Sequence, residues 1–439
     1  MQTFPVLLLL AVVQTSAGRA KSRSLLPPPT PSQNIVLVLA DDMGVDLVNV
    51  YGEAPNPPCT PNLDQLAAGG LLFRNAWASP VCSATRAQVL TGRHGFRTGV
   101  GDVLTPMNPG LALTEVTIPE VLSGYASAAL GKWHLHGNLG LFHPLDSGFD
   151  RYAGAIAGQV PDYFAWTKTI DGVSASSSVY ATTDTADEAI FSAQTLTEPW
   201  FLYVNFNAPH VPLHTPPSSL CPSSSCTTSY CATNPPSPTV PDGTKALVEA
   251  LDTEFGRMLS ALRVIDPEVM VFFMGDNGTS AMASQSPFLG SHAKDTLYEG
   301  GVNVPFIVQG PGVATGECAA LVSATDLHKT IAELAGRVSS AEDSVSLVPY
   351  FANPAHASIR ASVYAETFQP IGGPPFTSHV RAVRNERFKL IRETGAADEL
   401  YDLQVDPFEA SDLYPPTPGS LAETNYDTLV AELVALGVD

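Results

Sequence analysis

Asn34-Ile-Val-Leu-Val-Leu-Ala40, running directly into Asp41-Asp42, is the stretch whose reading decides the fold. Its hydrophobic residues follow one another without alternation, so the segment has no polar face to give to water. Such a run marks a central strand of a parallel sheet, covered on both sides. Trp200–Phe206 and Val269–Met274 read as further buried strands, and Val304–Gln309 as another. Helices fall between them. Thr60-Pro61 caps one that stops near Gly69, and Thr117-Ile-Pro-Glu120 is a capping box with an early proline, closed by Gly124. Thr244–Ile265 has helical periodicity, and Asp326–Ala335 is a capped helix. The alternation predicts an α/β fold with a mostly parallel central sheet flanked by helices, over residues 34–350. Beyond it the rhythm changes. Ala361–Thr367, Val380–Glu393 and Glu399–Leu403 read as short antiparallel strands and Leu421–Leu436 as a final helix, a smaller C-terminal α+β subdomain over 351–439.

Residues 1–17 hold an apolar run, Val6–Val13, and small residues at Thr15 and Ala17, which predicts a signal peptide cleaved after Ala17. Residues 18–33, basic and then proline-rich, read as a linker. No stretch reaches the roughly 18 apolar residues of a membrane span, so an exported protein is expected, in an extracellular, periplasmic or endomembrane-lumen compartment. The 439 residues, 44% hydrophobic, suffice for a substantial core. A formal charge of −21 argues against nucleic acid or anionic membranes as partners. Cys221, Cys226 and Cys231 are equally spaced in a Ser/Pro/Thr-rich segment, His214–Asp242. In an exported chain this predicts a disulfide-pinned surface loop; no histidine lies among the three cysteines to suggest zinc. With Cys82 set aside, Cys59, Cys221, Cys226, Cys231 and Cys318 are odd in number, which implies a free thiol or an intermolecular bridge, with the pairing open.

Chemistry gathers after the strands, where ligands of open α/β sheets bind. The first strand ends in Asp41-Asp42 and Val269–Met274 leads to Asp276-Asn277. Adjacent carboxylates repel unless a cation or proton intervenes. Three carboxylates and an amide suit a hard divalent ion, Ca²⁺ or Mg²⁺, better than zinc. Asn277-Gly278-Thr279 is also the only N-x-S/T sequon; a glycan would destroy the proposed ligand, so Asn277 is expected to be unmodified. The stretch Val81–His94, VCSATRAQVLTGRH, predicts a helix over Ser83–Leu90 stopped by Gly92. Cys82 then lies at a helix N-terminus, which favours an anion, with Arg86 one turn on along the same face. Gly131-Lys132-Trp133-His134 follows the apolar Tyr125–Leu130, Ala208-Pro209-His210 follows Trp200–Phe206, and Lys294 precedes Tyr298-Glu299-Gly300-Gly301. A chain with only 22 Lys and Arg thus concentrates cations in one predicted pocket, which would focus an anionic substrate. Arg93, His94, His136 and His292 are weaker candidates and receive no catalytic role.

The pattern C-x-A-x-R followed by LTGR resembles the modification signature of the type I sulfatases, the formylglycine-dependent branch of the alkaline-phosphatase superfamily. Two positions depart from it: Ala84 stands where proline is usual and Thr85 where serine is usual. GKWH, APH and K-x-x-x-Y-E-G-G look like sulfatase motifs too, and RAVRNERFKLI with ELYDLQVDPFE looks like the terminal sheet of arylsulfatase-like members. The resemblance runs from about Asn34 to Pro415. It implies an alkaline-phosphatase-like fold and hydrolysis of a sulfate monoester. It further implies that a formylglycine-generating enzyme oxidises Cys82 during export. The metal is then Ca²⁺ rather than Mg²⁺, held by Asp41, Asp42, Asp276, Asn277 and the modified residue 82. Arg86 would orient the nucleophile, Asp276 take its proton, and Lys132 and Lys294 hold the sulfate. His210, with Lys294, would protonate the leaving alcohol, and His134 would deprotonate the second hydroxyl of the hydrated aldehyde so that sulfate is eliminated.

Aryl, sugar and steroid sulfates all fit as substrates. Specificity is expected in His214–Asp242, in Phe142–Thr183 and at the subdomain edge. Two other readings compete. A phosphoester hydrolase of the same superfamily would need, in its two-zinc form, a second cluster that the ten histidines do not supply. A non-catalytic protein that binds sulfated ligands would follow if Ala84 and Thr85 prevented conversion.

Overall fold

A computed structural model of the protein describes residues 33–222, 226, 229–233 and 239–438. The predicted signal peptide and all of the linker but residue 33 lie outside the described residues. The first sheet contains β1 (Ile35–Asp41), β2 (Leu71–Trp77), β3 (Ala126–Gly131), β4 (Arg151–Gly154), β5 (Trp166–Ile170), β6 (Val173–Ser177), β7 (Trp200–Pro209), β8 (Met270–Gly275), β9 (Phe306–Gln309) and β10 (Gly316–Ser323). Their order is β10-β2-β9-β8-β1-β7-β3-β4-β5-β6.

β1 lies between β7 and β8 and is parallel to both, with Ile35 opposite Phe201 and Met270. Its unbroken apolar run now has a physical cause. Val36, Val38 and Ala40 enter one core layer, and Ile35, Leu37 and Leu39 enter the other. Each fully buried aliphatic side chain contributes about 1.5–3 kcal/mol, so a polar residue on either face would be costly. Helices Pro61–Ala68, Ala181–Thr195 and Val240–Ile265 cover the first layer, supplying Leu63, Ala186 and Leu251 among others. Helices Cys82–Thr91 and Asp326–Leu334 cover the second, with Ala87, Leu90 and Ile331. Strand β9 departs from the parallel pattern, running antiparallel between β2 and β8. The far edge, β4-β5-β6, is antiparallel as well. The sheet is therefore mixed, with a parallel centre.

A second sheet is antiparallel, in the order β11 (Val363–Gln369), β12 (Ser378–Arg384), β13 (Phe388–Glu393) and β14 (Glu399–Asp402). The stretch Val380–Glu393, expected as one strand, is two. Asn385 makes the turn: its Oδ1 accepts from the N–H groups of Arg387 (2.9 Å) and Phe388 (2.8 Å). A short side-chain acceptor that competes for backbone donors ends a ladder. Helix Leu421–Leu436 is capped by Ser420, which accepts from the Glu423 N–H, and buries Leu429 and Leu433.

The cysteine-rich loop is pinned by Cys221–Cys231 and tied to the body by Cys59–Cys226. The buried carboxylate of Glu249 accepts from the N–H groups of Cys59, Tyr230 and Cys231 and from the Ser229 hydroxyl. Cys318 is the expected free thiol, and is buried.

Candidate active site

Helix Cys82–Thr91 is buried along its whole length, unlike an amphipathic surface helix. Gly92 closes it in the left-handed region, φ 65°. The two departures from the sulfatase signature are accommodated. Ala84 is buried in the first turn, and the Thr85 hydroxyl accepts from the Ser79 N–H (2.9 Å) and donates to its carbonyl (3.3 Å), fastening the segment before Cys82.

Arg86 is wholly buried, and both of its terminal guanidinium nitrogens are engaged. Its guanidinium donates to Asp276 Oδ2 (2.7 Å), Asn205 Oδ1 (2.9 Å) and the Lys132 carbonyl (3.1 Å), joining three strand ends to one helix. Lys132 Nζ lies 2.6 Å from Asp41 Oδ2, and Lys294 Nζ 2.6 Å from Asp42 Oδ1. His210 Nε2 is 4.0 Å from Asp42 Oδ2. Every predicted catalytic and metal residue thus converges on one place. Its three carboxylates face three cations, so the fixed charges cancel.

Close packing of backbone brings the segments together. Gly131 has φ +80°, and a Cβ there would lie 1.9 Å from the Asn205 carbonyl oxygen. At Gly278 a Cβ would meet the Gly300 carbonyl oxygen at 1.9 Å, which is why the Asp276 loop and the Glu299-Gly300-Gly301 turn can touch.

His134 is placed against the thiol, with Nδ1 3.2 Å from Cys82 Sγ and Nε2 2.9 Å from the Leu104 carbonyl oxygen. A carbonyl only accepts, so Nε2 carries the proton and Nδ1 presents a lone pair to residue 82. Burial, then the charges of Lys132 and Arg86, hold this imidazole well below its usual pKa. Burial pushes the Cys82 thiol up, only partly opposed by Lys132. Asp276 is raised to about 6 by burial and by Asp41, against the pull of Arg86. Asp41 moves the other way: burial would raise it, but Lys132, His210, Arg86 and Lys294 together bring it well below the carboxylate range.

Donor atoms of Asp41, Cys82 and Asp276 lie within 4.8 Å of one another, as do those of Asp41, Asp42 and His210. Both groups contain Asp41, so the described residues form one centre and not two. Asp41 Oδ1 and Asn277 Oδ1 are buried without a hydrogen-bond partner. Orphaned acceptors of this kind cost about 1–3 kcal/mol each. Oxygen donors left open among carboxylates fit a hard cation. Asn277 and Thr279 are both buried, and the Thr279 hydroxyl donates to Asp46, so the sequon lies inside the fold.

The weaker candidates stand apart. Arg93 pairs with Glu115 and Glu342, the His94 N–H donates to Asp343, and His292 stacks on Tyr298 at 3.7 Å. His136 is half-buried and joins neither group of donors. Three partners went unread in the sequence. Asn205, a polar residue within the apolar WFLYVNF, was a visible signal for a buried hydrogen bond. The Leu104 carbonyl, which sets the His134 tautomer, left none. Nor did Tyr163, whose hydroxyl lies 2.7 Å from the backbone oxygens of both Asn207 and His210.

A mixed sheet whose central strand ends gather acids, lysines and a helix-borne cysteine is the architecture of an alkaline-phosphatase-like hydrolase. The sulfatase family profile matches residues 33–337, and that of the N-sulphoglucosamine sulphohydrolase C-terminal region matches residues 289–433. N-acetylgalactosamine-6-sulfatase of Sus scrofa is 32% identical over 373 residues, 74% of this chain and 66% of that protein. Arylsulfatase A of Homo sapiens is 33% identical over 376 residues, 76% and 68% of the two chains. The crystal structure of Ps i-CgsB in complex with k-i-k-neocarrahexaose superposes with a TM-score of 0.76 at 25% identity, over 93% of this chain and 92% of that one. The chain belongs to the sulfatase family. It spans about two thirds of the length of the curated relatives it matches.

Proposed function

We propose that the protein is a sulfuric ester hydrolase that uses residue 82, oxidised from cysteine to formylglycine, beside a single divalent cation, Ca²⁺. The observation that carries the reading is the facing of Cys82 and the His134 Nδ1 lone pair inside a charge-balanced cluster of acids and cations. An unmodified thiol is a poor candidate for the nucleophile, because burial raises its pKa and only the thiolate attacks. The aldehyde hydrate would supply two hydroxyls, one to take the sulfuryl group and one to expel it.

Asp41, Asp42, Asp276 and Asn277 would hold the cation, with His210 beside Asp42. Bound there, it would neutralise charge on a tetrahedral anion and acidify a neighbouring hydroxyl. Since the fixed charges cancel, a divalent ion leaves the site positive and suited to a sulfate monoester. Lys132 and Lys294 each have an ammonium group directed to the cluster and would stabilise charge on the sulfate oxygens. Arg86 orients: it holds Asp276 and cannot lose its proton. His134, neutral and with Nδ1 free, is suited to accept a proton from residue 82. His210 is less buried, consistent with donating a proton to the departing alcohol with Lys294 nearby. Export and encounter with a formylglycine-generating enzyme complete the proposal.

Mass spectrometry of the tryptic peptide Asn75–Arg86 tests the modification, because conversion removes the sulfur of residue 82. A purified protein with an intact thiol would leave a ligand-binding relative without turnover. Parallel assays with an aryl sulfate and the matching aryl phosphate test the substrate class, and faster phosphate cleavage would favour the phosphoester reading. A Cys82→Ser variant should trap one sulfuryl group per chain; repeated turnover by it would contradict the scheme.

A further inference from the structure

Two acids at the mouth of the site have no part in the chemistry above. Asp295 directly follows Lys294, and its side chain is exposed. Its backbone N–H donates to the Pro80 carbonyl (3.0 Å), two residues before Cys82, so its position relative to the reacting residue is set by the main chain. Among the described residues it is one of five non-glycines with positive φ, at 72°. That conformation costs about 1 kcal/mol or more, and a glycine would adopt it freely. Its carboxylate makes no hydrogen bond to a described residue. The charges it meets are those of Lys294, Asp42, Asp102 and His210, the groups proposed to bind sulfate and to release the alcohol, with Asp102 as a second rim acid.

Asp102 is fixed where Asp295 is free. Its Oδ1 accepts from the Val103 N–H (2.6 Å) and its Oδ2 from Gln369 Nε2 (2.6 Å), a side chain of the second sheet. Leu104, two residues on, supplies the carbonyl that accepts the hydrogen bond from His134 Nε2. The buried and unpartnered Asp41 Oδ1 and Asn277 Oδ1 mark the place of the cation, and Lys132 and Lys294, paired with Asp41 and Asp42, would hold the sulfate beside it. Because Asp295 faces the charges of both Lys294 and His210, the proposed proton donor to the leaving alcohol, a substrate held there would turn its alcohol portion toward Asp295.

Resting on the sulfatase reading, we propose that Asp295, reinforced by the charge of Asp102, is the residue that selects the leaving group. It accepts a hydrogen bond from a hydroxyl or amine beside the scissile ester and repels a second anion there. The substrate class is accordingly a monosulfated alcohol with neighbouring donors, such as a sugar ring carrying one sulfate. Vicinally disulfated or carboxylated alcohols are disfavoured. Like charges several ångströms apart in a partly solvated cleft differ from a neutral pair by a factor of about ten in binding. The discrimination is also open to screening by salt.

The test compares an aryl sulfate with its ortho-carboxylated analogue, on wild type and Asp295→Asn, at low and high ionic strength. Asparagine matches the shape and tolerates positive φ, so folding is preserved. The wild type should favour the uncarboxylated compound in kcat/KM by about tenfold, less so in about 0.5 M salt. Asp295→Asn should bring the two compounds to within about twofold, mainly through KM. Calorimetric binding of the corresponding non-cleavable aryl sulfonates, with and without the carboxylate, is measured in the same proteins. Absence of turnover would overturn the sulfatase reading while binding still reports the preference. An equal preference in both proteins, by either measure, or a wild type that favours the carboxylated compound, overturns the role of Asp295.

Discussion

Arg86 and His134 differ in what their removal should do. Arg86 is a structural ion as much as a catalytic one, since its three acceptors lie on three segments and its side chain has no access to water. Arg86→Met would leave Asp276 buried without its cation, a loss of about 3–5 kcal/mol. Chemical denaturation of the metal-free protein measures it, and a change below about 1 kcal/mol would contradict the assigned partnership. His134 supports less of the fold. His134→Ala should lower kcat by about 10²–10⁴ with little change in KM, as expected for a proton-transfer group. Steady-state kinetics on an aryl sulfate decide it, and a KM effect alone would move His134 to a binding role. Cys82, Arg86, Lys132 and Lys294 were all legible as types in the sequence. What could not be read was which lysine meets which acid, because that pairing follows from strand order.

The joint between the two sheets is also ionic. Glu299, in the turn after Lys294, accepts from Trp77 Nε1 (3.1 Å) and Arg384 Nη1 (3.0 Å), while Lys389 Nζ lies 3.2 Å from Glu299 and 2.6 Å from Glu409. The Y-E-G-G segment therefore serves to dock the second sheet against the catalytic one. Two carboxylates share one buried lysine. Burial, offset by Lys389 and reinforced by the charge of Glu299, raises Glu409 to about 7, while Glu299 is lowered. A raised carboxyl pKa means the folded state binds the proton more tightly than the unfolded chain does. Its contribution to stability is therefore full below about pH 4.5 and is lost as pH rises toward 7. Glu409→Gln, neutral at every pH, should remove that component. Thermal unfolding across pH 4.5–7.5 reads it, and parallel curves for wild type and variant would show that Glu409 does not titrate in this window.

For the molecule as a whole, the cation is a link between folding and activity. Three carboxylates drawn from two separate strand ends meet only in the folded chain, so an ion bound there stabilises the native state by mass action, about 2.7 kcal/mol at 100 times Kd. Chelation should abolish turnover and lower the unfolding temperature by a few degrees, with Ca²⁺ restoring both. Restoration by Zn²⁺ in preference to Ca²⁺ would contradict the choice of a hard ion. The disulfide Cys59–Cys226 closes 167 residues of chain. Its loop is among the segments where specificity was expected, and Gln369, which holds Asp102, lies at the edge of the second sheet, another of those segments.

The residue types of the site, the parallel centre of the first sheet and the turn to antiparallel structure near residue 350 were determined by the chain alone. Hydrophobic runs, caps and the chemistry of carboxylates, amides and imidazoles are local properties, written a few residues at a time. Tertiary structure decided the rest: the antiparallel placement of β9, the ion pairs, the His134 tautomer and the unpartnered acid at Asp295. These depend on which distant segments touch, and contact across 30 to 252 residues is set by the packing of layers rather than by any neighbour in sequence.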